Sequence, residues 1–238
     1  AQLIGSFSPS SGDLAIPESD DLSGSKGNGS DLVPDCDQVT FTPHVISTSD
    51  NSVASVYATD VDGDGDTDVL SSSQSDRSIA WYENDGNGAF AVHAISTSAN
   101  FAYSSSVYAT DVDGDGDTDV LNASYGYDTI AWYENDGNDN FIAHVITTSA
   151  DGAASVYATD VDGDRDTDVL SASFFDDTIA WYENDGNENF TTRVIDTSAP
   201  NTDPYSVYAT DVDGDGDTDV LSAFRGDDTV VWYENGCI

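Results

Sequence analysis

Positive charge is scarce in this 238-residue chain, which has 5 Lys and Arg against 46 Asp and Glu and a formal net charge of -41. A surface this acidic repels phosphate backbones and anionic lipid headgroups, so it excludes nucleic acid as a partner. Long apolar runs are also lacking. No stretch approaches the roughly 18 residues of a membrane span, which excludes membrane insertion. Disorder is disfavoured by the 11% aromatic content.

Methionine is absent, and cysteine occurs only twice. From the absence of Met we expect a cleaved signal peptide before Ala1 and an extracellular location. Three Asn-x-Ser/Thr triplets are compatible with that route and are the candidate N-glycosylation sites, at Asn28, Asn122 and Asn189. Such triplets also arise by chance in a chain rich in Ser and Thr.

Helical periodicity is lacking too, and the chain instead contains one unit repeated four times. The segment SVYATDVDGDGDTDVL ends at Leu70, Leu121 and Leu221, and with one change at Leu170. A second segment, WYEN, begins at Trp81, Trp132, Trp181 and Trp232, which are 51, 49 and 51 residues apart. This period is typical of a four-stranded β-propeller blade.

Within one period we predict four strands, at residues 55–59, 67–73, 78–83 and 90–96, joined by segments rich in turn residues. Residues 41–46 match the fourth strand, because Phe41 aligns with Phe90, and the chain ends just after a third strand. The predicted fold is all-β: a four-bladed β-propeller closed by the N-terminal strand, which pairs into the last blade and leaves no open edge. The predicted domains are a low-complexity arm, residues 1–35, and the propeller, residues 36–238.

The two cysteines fall together when the first and last repeats are aligned. Cys36 then takes the position of Asp85, and Cys237 takes that of Gly86, in the loop between the third and fourth strands of the closing blade. A disulfide between Cys36 and Cys237 is therefore predicted at this seam, in keeping with an oxidising compartment. Two unrelated thiols are the alternative.

Each repeat also carries the nine-residue loop D-V-D-G-D-G-D-T-D, with Arg at position 6 of the third copy. Ca²⁺ takes 6 to 8 oxygen ligands, and an alternating Asp loop that wraps around the ion supplies them. We assign side chains at positions 1, 3, 5 and 9 and the backbone carbonyl at position 7, for about four Ca²⁺ ions, one per repeat. The predicted ligand residues are Asp60, Asp62, Asp64, Asp66 and Asp68; Asp111, Asp113, Asp115, Asp117 and Asp119; Asp160, Asp162, Asp164, Asp166 and Asp168; and Asp211, Asp213, Asp215, Asp217 and Asp219.

A solvated acidic turn is the alternative reading of these loops. Four carboxylates about 6 Å apart make six pairs, each repelling by roughly 0.7 kcal/mol in bulk water, so an empty loop is disfavoured by about 4 kcal/mol. The loops contain neither His nor Cys, which excludes zinc or copper as the natural ion. We expect the third site to be the weakest, because Arg165 replaces a Gly where the turn is left-handed and a side chain is strained.

The loop, followed by W-Y-E-N-D-G-N, resembles the FG-GAP/VCBS repeat family, the propeller repeat of integrin α-subunits and many secreted microbial proteins. The resemblance covers residues 39–235. It implies a β-propeller with Ca²⁺ bound at the loops named above. Members of the family usually build seven blades, so four repeats are a departure, and the resemblance leaves open whether the ring closes within one chain.

Other residues that recur once per repeat are assigned structural roles. The four Trp residues are predicted to pack between blades rather than to stack on sugars. A position shared by His44, His93 and His144 has no metal-ligating neighbour, so we expect it to be an exposed polar site. Aromatic residues at the turns between second and third strands are predicted to be exposed and to touch a partner, namely Tyr125, Tyr127, Phe174 and Phe175.

Almost every polar feature recurs four times, and no single Ser/His/Asp or Cys/His set stands out, so the chain is not expected to be an enzyme. Two functions remain. One is a structural or adhesive extracellular subunit that assembles with copies of itself, and the other is a calcium-dependent lectin that binds glycans. The arm favours assembly, because Leu3, Ile4 and Phe7 give its Ser- and Gly-rich sequence apolar anchors.

Overall fold

The structure is a computed structural model, which describes residues 40–97, 103–197 and 202–236. The chain divides into two units, Ala1–Pro43 and His44–Ile238, and every described strand belongs to the second unit. The predicted arm, Asn28 and both cysteines lie outside the described residues, so the arm and the disulfide stay predictions. Among the described residues, no helix has the length and apolar character that a membrane crossing requires.

The described strands form four antiparallel sheets, one for each repeat, in which consecutive strands are neighbours. Sheet 1 contains β1 (Val53–Thr59), β2 (Asp68–Ser73), β3 (Ser78–Asn84) and β4 (Phe90–Ser96). Sheet 2 contains β5 (Ser104–Thr110), β6 (Asp119–Ser124), β7 (Thr129–Asn135) and β8 (Phe141–Thr147). Sheet 3 contains β9 (Ala153–Thr159), β10 (Asp168–Ser173), β11 (Thr178–Asn184) and β12 (Phe190–Asp196). Sheet 4 contains β13 (Pro204–Thr210), β14 (Asp219–Phe224) and β15 (Thr229–Tyr233). The all-β prediction is confirmed.

Each sheet has two packing faces, and neighbouring sheets meet face to face. We name the two faces front and back from the core between sheets 1 and 2. The front face of sheet 1 contributes Val61, Leu70, Ile79 and Trp81, and the back face of sheet 2 contributes Val107, Ala109, Val120 and Tyr133. Equivalent residues form the cores between sheets 2 and 3 and between sheets 3 and 4. The sheets therefore stand in a row, front face to back face.

Sheets 2 and 3 are covered on both sides, which explains the composition of their inner strands. All six residues of β6 and of β10 are buried, and both strands contain small Ala and Ser side chains that let two neighbours approach closely. The outer strands β8 and β12 keep several exposed residues. Trp81 and Trp132 are 1% exposed, which confirms that these two Trp residues pack between sheets.

Polar contacts reinforce the same interfaces. A Thr hydroxyl in one acidic loop donates to the backbone carbonyl of the first Asp in the preceding loop, at 3.0 Å from Thr118 to Asp60 and 2.9 Å from Thr167 to Asp111. In sheets 2, 3 and 4, the Asn of the WYEN segment donates its side-chain amide to the preceding loop as well. These bonds join Asn135 to Val61 O, Asn184 to Val112 O and Asn235 to Val161 O, at 3.2, 3.2 and 3.0 Å.

The described residues do not show the predicted closure of the ring. Sheet 4 has three strands in the described residues, and residues 40–52 contain no strand that could complete it. Residues His44–Ser47 instead lie beside the back face of sheet 1, where they border a cavity together with Val56 and Tyr82. The Tyr82 hydroxyl bonds Asp50 and Ser47. These bonds fix the segment beside sheet 1.

Candidate metal centres

The four acidic loops each join the first and second strands of a sheet. The first Asp of the loop follows directly on the first strand, as Asp60 follows β1, and the ninth Asp is the first residue of the second strand, as Asp68 opens β2. Both ends of the loop are therefore fixed by paired strands, because Thr59 and Asp68 are partners in the β1–β2 ladder. The flanking sheet thus sets the width of the loop.

The first carboxylate of each loop folds the backbone around itself. Asp60 Oδ1 accepts the amide of Gly63 at 2.8 Å, and Asp60 Oδ2 accepts the amide of Gly65 at 2.9 Å. Asp62 and Asp64 each accept the amide two residues further along, at 3.1 and 2.8 Å. Such Asx turns are a common property of Asp in tight loops. The same bonds recur around Asp111, Asp160 and Asp211.

The ninth carboxylate anchors the loop in the sheet. Asp68 is fully buried, and its two oxygens accept three N–H groups: Val61 N at 3.1 Å, Trp81 Nε1 at 2.9 Å and Asn84 N at 2.7 Å. The corresponding backbone bonds recur at Asp119, Asp168 and Asp219, which are also fully buried. These N–H donors satisfy the buried carboxylate and fix its position at the end of the loop.

Three carboxylates converge in every loop, with ligand oxygens within 4.8 Å of one another. Positions 1, 3 and 9 meet in the first, third and fourth loops, and positions 1, 3 and 5 meet in the second. Position 7 is placed differently, because the side chain of Asp66 lies against Gly86 in the turn between β3 and β4. The convergent residues are Asp60, Asp62 and Asp68; Asp111, Asp113 and Asp115; Asp160, Asp162 and Asp168; and Asp211, Asp213 and Asp219.

The electrostatics of the loops reflect this concentration of negative charge. Burial raises the pKa of Asp119 to about 7 and that of Asp168 to about 6, even though backbone hydrogen bonds lower both. Burial also raises the pKa of Asp62, and repulsion by Asp64, Asp68 and Glu83 adds to the rise. The loops therefore offer hard oxygen donors under mutual repulsion, which is the donor set that Ca²⁺ prefers. The residues present fit that ion.

The third loop adopts the same backbone conformation as the others in spite of its different sequence. Arg165 has φ of 82°, where Gly65, Gly116 and Gly216 have φ of 96°, 97° and 100°. Its amide still donates to Asp160 Oδ2, at 3.0 Å. Arg165 is thus a side chain in the left-handed region, where glycine is favoured. This is the strain that the sequence predicts for the third site.

Three residues of the WYEN segment take part in the loops, which sequence reasoning missed, and the first is Trp81, whose Nε1–H donates to Asp68. The backbone N–H of Asn84 donates to Asp68. Glu83 raises the pKa of the ligand candidate Asp62 by repulsion. The signal was present, since WYEN recurs with the loops in every repeat. Glu83 also binds His93, at 2.7 Å, and His93 stacks on Trp81 with ring centroids 4.6 Å apart. His144 repeats this arrangement with Glu134 and Trp132.

The candidate glycosylation sites and turn aromatics also have defined positions. Asn122 is fully buried within β6 and its Nδ2 donates to Ser106 O at 2.9 Å, so this sequon is not accessible in the folded chain. Asn189 is exposed. Tyr125, Phe174 and Phe175 contact one another, with centroids 5.1 to 5.9 Å apart, so these turn residues form a cluster instead of standing separately.

Comparison with known proteins agrees with this geometry. The model of the FG-GAP-like repeat matches the chain three times, at residues 60–122, 111–171 and 160–222. Each match begins at the first Asp of one loop and ends within the second strand of the next sheet. Comparison with curated protein sequences finds no match.

Two solved structures are similar to the chain. Virginiamycin B lyase from Staphylococcus aureus has a TM-score of 0.51 and 9% identity, over 80% of this chain and 58% of that one. The V. cholerae biofilm matrix protein Bap1 has a TM-score of 0.43 and 20% identity, over 72% of this chain and 24% of that one. The chain therefore spans little more than half of the first protein and a quarter of the second, and the first similarity concerns the fold alone. Because three consecutive family matches cover residues 60–222, the chain belongs to the FG-GAP-like repeat family.

Proposed function

We propose that the chain is a non-catalytic, calcium-stabilised β-propeller subunit with a structural or adhesive role outside the cell. The observation that carries this proposal is the three-carboxylate cluster that recurs in all four sheets. The proposed ligands are the Asp side chains at positions 1, 3, 5 and 9 and the carbonyl at position 7, as the sequence predicts. A bound Ca²⁺ supplies the positive charge that the loop lacks, and the loop supplies oxygen ligands.

Calcium at these loops stabilises sheets rather than a reaction centre. Each loop is anchored through its ninth Asp to the second and third strands, so an ion held there restrains one whole sheet. Four divalent ions also reduce the net charge from -41 to about -33, which weakens the self-repulsion of the fold. Extracellular calcium modules have Kd values of about 10⁻⁴ to 10⁻³ M, so we expect these loops to bind in that range.

The repetition of the sites supports a non-catalytic role. In the described residues, the groups of three or more metal-ligating side chains are the four loops themselves. An active site needs an asymmetric set of acid, base and nucleophile, whereas these clusters are copies of one another. Equivalent sites in equivalent sheets are what a structural ion requires.

Calcium titration tests the calcium part of the proposal directly. We expect isothermal titration to give about four Ca²⁺ ions per chain. A variant with Asn at position 1 of every loop should bind none, and its four substitution sites are Asp60, Asp111, Asp160 and Asp211. Unchanged calcium binding in that variant, or no binding by the natural chain at millimolar Ca²⁺, would overturn the proposal.

Self-association is the second part of the proposal, and the arm of residues 1–35 is proposed to contribute to it. Leu3, Ile4 and Phe7 each contribute about 1.5 to 3 kcal/mol if they are fully buried in a neighbour. Deleting residues 1–30 should leave a folded chain that binds calcium normally and associates more weakly in sedimentation velocity. Association of unchanged strength would remove the arm from the proposal.

Carbohydrate binding is a second candidate function, favoured by one cavity. A cavity of about 310 Å³ is lined by aromatic rings and one cation, from Tyr103, Tyr125, Phe174, Tyr205 and Arg225. Aromatic faces with a few polar groups are a common surface for sugar rings. A glycan array with the natural chain and Tyr125→Ala tests this function. Specific binding that the substitution abolishes would favour the lectin, and a blank array would exclude it.

A further inference from the structure

The two ends of the row of sheets expose faces that are buried elsewhere in the second unit. On sheet 4, the front-face residue Val230 is 78% exposed, whereas its equivalent Ile79 on sheet 1 is 1% exposed. On sheet 1, the back-face residue Val56 is 67% exposed, whereas its equivalent Val107 on sheet 2 is 4% exposed. Each end is therefore one half of an apolar interface that the chain forms three times between its own sheets.

The loops of the two end sheets carry groups that, in the other sheets, form a hydrogen bond with a neighbouring loop. Asn135 donates both to Thr118 O of its own loop and to Val61 O of the preceding loop. Asn84 on sheet 1 makes the bond within its own sheet, to Thr67 O at 3.0 Å, and among the described residues it has no preceding loop. The loop carbonyl equivalent to Val61 O on sheet 4 belongs to Val212, which is 43% exposed.

The inner strands show the same pattern. The amide of Val107 donates to Ser55 Oγ of the preceding sheet at 3.4 Å. This bond recurs from Val156 to Ser106 at 3.4 Å and from Val207 to Ser155 at 3.3 Å. The next pair in the series would join the amide of Val56 on sheet 1 to Ser206 Oγ on sheet 4, and within the described chain the two do not meet.

A third polar contact follows the same series. In sheets 1 to 3, a His or Arg of the outer strand pairs with the Glu of the third strand and lies over its Trp, as His93 does with Glu83 and Trp81. Arg193 replaces His in sheet 3, beside Glu183 and Trp181. Sheet 4 has Glu234 and a Trp232 that is 42% exposed, but its described strands include no outer strand. The residue at the matching repeat position is His44, beside sheet 1.

The segment at His44 already occupies the position of a preceding outer strand. The Tyr of the third strand in sheets 2 and 4 bonds the end of the outer strand of the sheet before it, from Tyr133 to Ser96 and from Tyr233 to Asp196 at 2.7 Å. In sheet 1 the equivalent Tyr82 bonds Ser47 and Asp50. Residues 44–50 therefore lie at the back of sheet 1, where the outer strand of a preceding sheet would lie. The other three strands of such a preceding sheet are not found there among the described residues.

We propose that a second copy of this chain supplies those strands: the front face of sheet 4 in one copy docks on the back face of sheet 1 in the next. The contact repeats the interface that already joins sheets 1, 2, 3 and 4. It places Asn84 against Val212 O, Val56 N against Ser206 Oγ, and His44 against Glu234. The inference rests on the self-association in the proposed function and locates it on two surfaces of the folded unit.

The stack of Tyr rings along the inner strands favours a second copy over closure within one chain. The rings of Tyr57, Tyr108, Tyr157 and Tyr208 follow one another with centroids 4.8, 4.8 and 4.7 Å apart. A ring of four sheets would bring Tyr208 back to Tyr57, and the described residues show no such contact, since Tyr208 is 50% exposed. Two different surfaces that fit each other at opposite ends of one subunit give a head-to-tail assembly that extends with each copy.

Two blocked variants test the head-to-tail contact. Val56→Asp blocks the sheet 1 end and Val230→Asp blocks the sheet 4 end. Both residues are exposed, so neither change should disturb folding. In sedimentation velocity with Ca²⁺, the natural chain should form a concentration-dependent series of species, and each variant alone should stay monomeric. An equal mixture should form a discrete dimer, because each variant retains the end that the other has lost.

Val194→Asp is the matched control. Val194 lies on the outer strand β12 of the internal sheet 3 and is 59% exposed, so this change adds the same charge away from both ends. The control should assemble like the natural chain. A natural chain that stays monomeric, a mixture that forms no dimer, or a control that also loses assembly would each overturn the proposal.

A charge exchange tests the contact between His44 and Glu234. His44→Glu places two carboxylates together and should weaken association at least tenfold, and adding Glu234→His should restore it. No effect of the first change, or no recovery with the second, contradicts the placement of His44 at the junction. Melting temperatures with and without chelator are measured on every variant. A chelator effect that persists in the monomeric variants separates failure of the contact from failure of calcium stabilisation.

Discussion

The carboxylate of Asp66 lies directly against Gly86, so close that a Cβ at Gly86 would overlap its Oδ2. Gly86 also has φ of 70°. The same relationship joins Asp117 to Gly137 and Asp166 to Gly186. The turn between the third and fourth strands is thus packed onto the acidic loop, and it requires Gly for both its conformation and its lack of a side chain.

We therefore predict that Gly86→Ala destabilises sheet 1 by about 1 to 3 kcal/mol, because it combines a left-handed side chain with an overlap. Gly236 is the matched control, since a Cβ at that position meets nothing within 4 Å and its φ is not left-handed. Chemical denaturation of both variants in Ca²⁺ checks the difference. Equal effects of the two substitutions would contradict the packing described for Asp66.

The third loop should become more stable and bind calcium more tightly when position 6 is Gly, as it is in the other three loops. Arg165→Gly removes a left-handed side chain and a positive charge beside the carboxylates, so it should raise calcium affinity at that site and stabilise the fold by about 1 to 2 kcal/mol. Gly65→Arg is the reverse change in the first loop and should weaken it by a similar amount. Calorimetric titration of both variants measures their calcium affinities, and the two substitutions must change the affinity in opposite directions.

Removing the carboxylate at position 1 should affect the third loop less than the first loop. Asp160→Ala is expected to lower the calcium-dependent melting temperature less than Asp60→Ala does, because the third site is already strained by Arg165. The two substitutions remove equivalent hydrogen bonds, to Gly63 and Gly65 in one loop and to Gly163 and Arg165 in the other. A larger loss for Asp160→Ala would show that Arg165 does not weaken its site.

Positions 5 and 9 of one loop should respond differently to the same change. Asp68→Asn replaces a buried acceptor of three N–H groups by an amide that offers one acceptor oxygen, so it should cost about 1.5 to 3 kcal/mol even in chelator. Asp64→Asn alters an exposed residue and should reduce calcium affinity without lowering stability in chelator. Thermal melts in both conditions check this, and equal behaviour of the two variants would refute the anchoring role.

The sequence predicts the local structure of this chain well, whereas closure of the ring stays a prediction. The predicted strand at residues 90–96 coincides with β4, and each acidic loop forms at the predicted place, because turn residues and strand alternation act over short distances. Burial of Trp81 followed from its spacing within the repeat. Closure depends on the angle between packed sheets, which arises from many side-chain contacts that no spacing encodes. The alignment of Phe41 with Phe90 therefore identifies residues 41–46 as the equivalent of a fourth strand, but it does not show which surface they meet.

The sequence predicts the exposure of Tyr127 and Phe175, which are 40% and 58% exposed, but not the contacts between turns of different repeats. Tyr125 and Phe174 belong to different repeats, and sequence alone treats them as separate exposed tips. The packing of sheet 2 on sheet 3 brings their rings to 5.9 Å. The side chains of Asn135 and Asn184 also bond between repeats, to residues more than 70 positions away in the sequence. Such contacts cannot be predicted from one repeat alone.

A thermal melt in calcium and in excess chelator tests the central claim most directly. We expect a large fall in melting temperature on chelation, because the converging carboxylates of each loop then repel without a cation. Ca²⁺ should restore the melt and Mg²⁺ should do so poorly, since Mg²⁺ is smaller and releases its water reluctantly. An unchanged melting temperature in excess chelator would contradict the account.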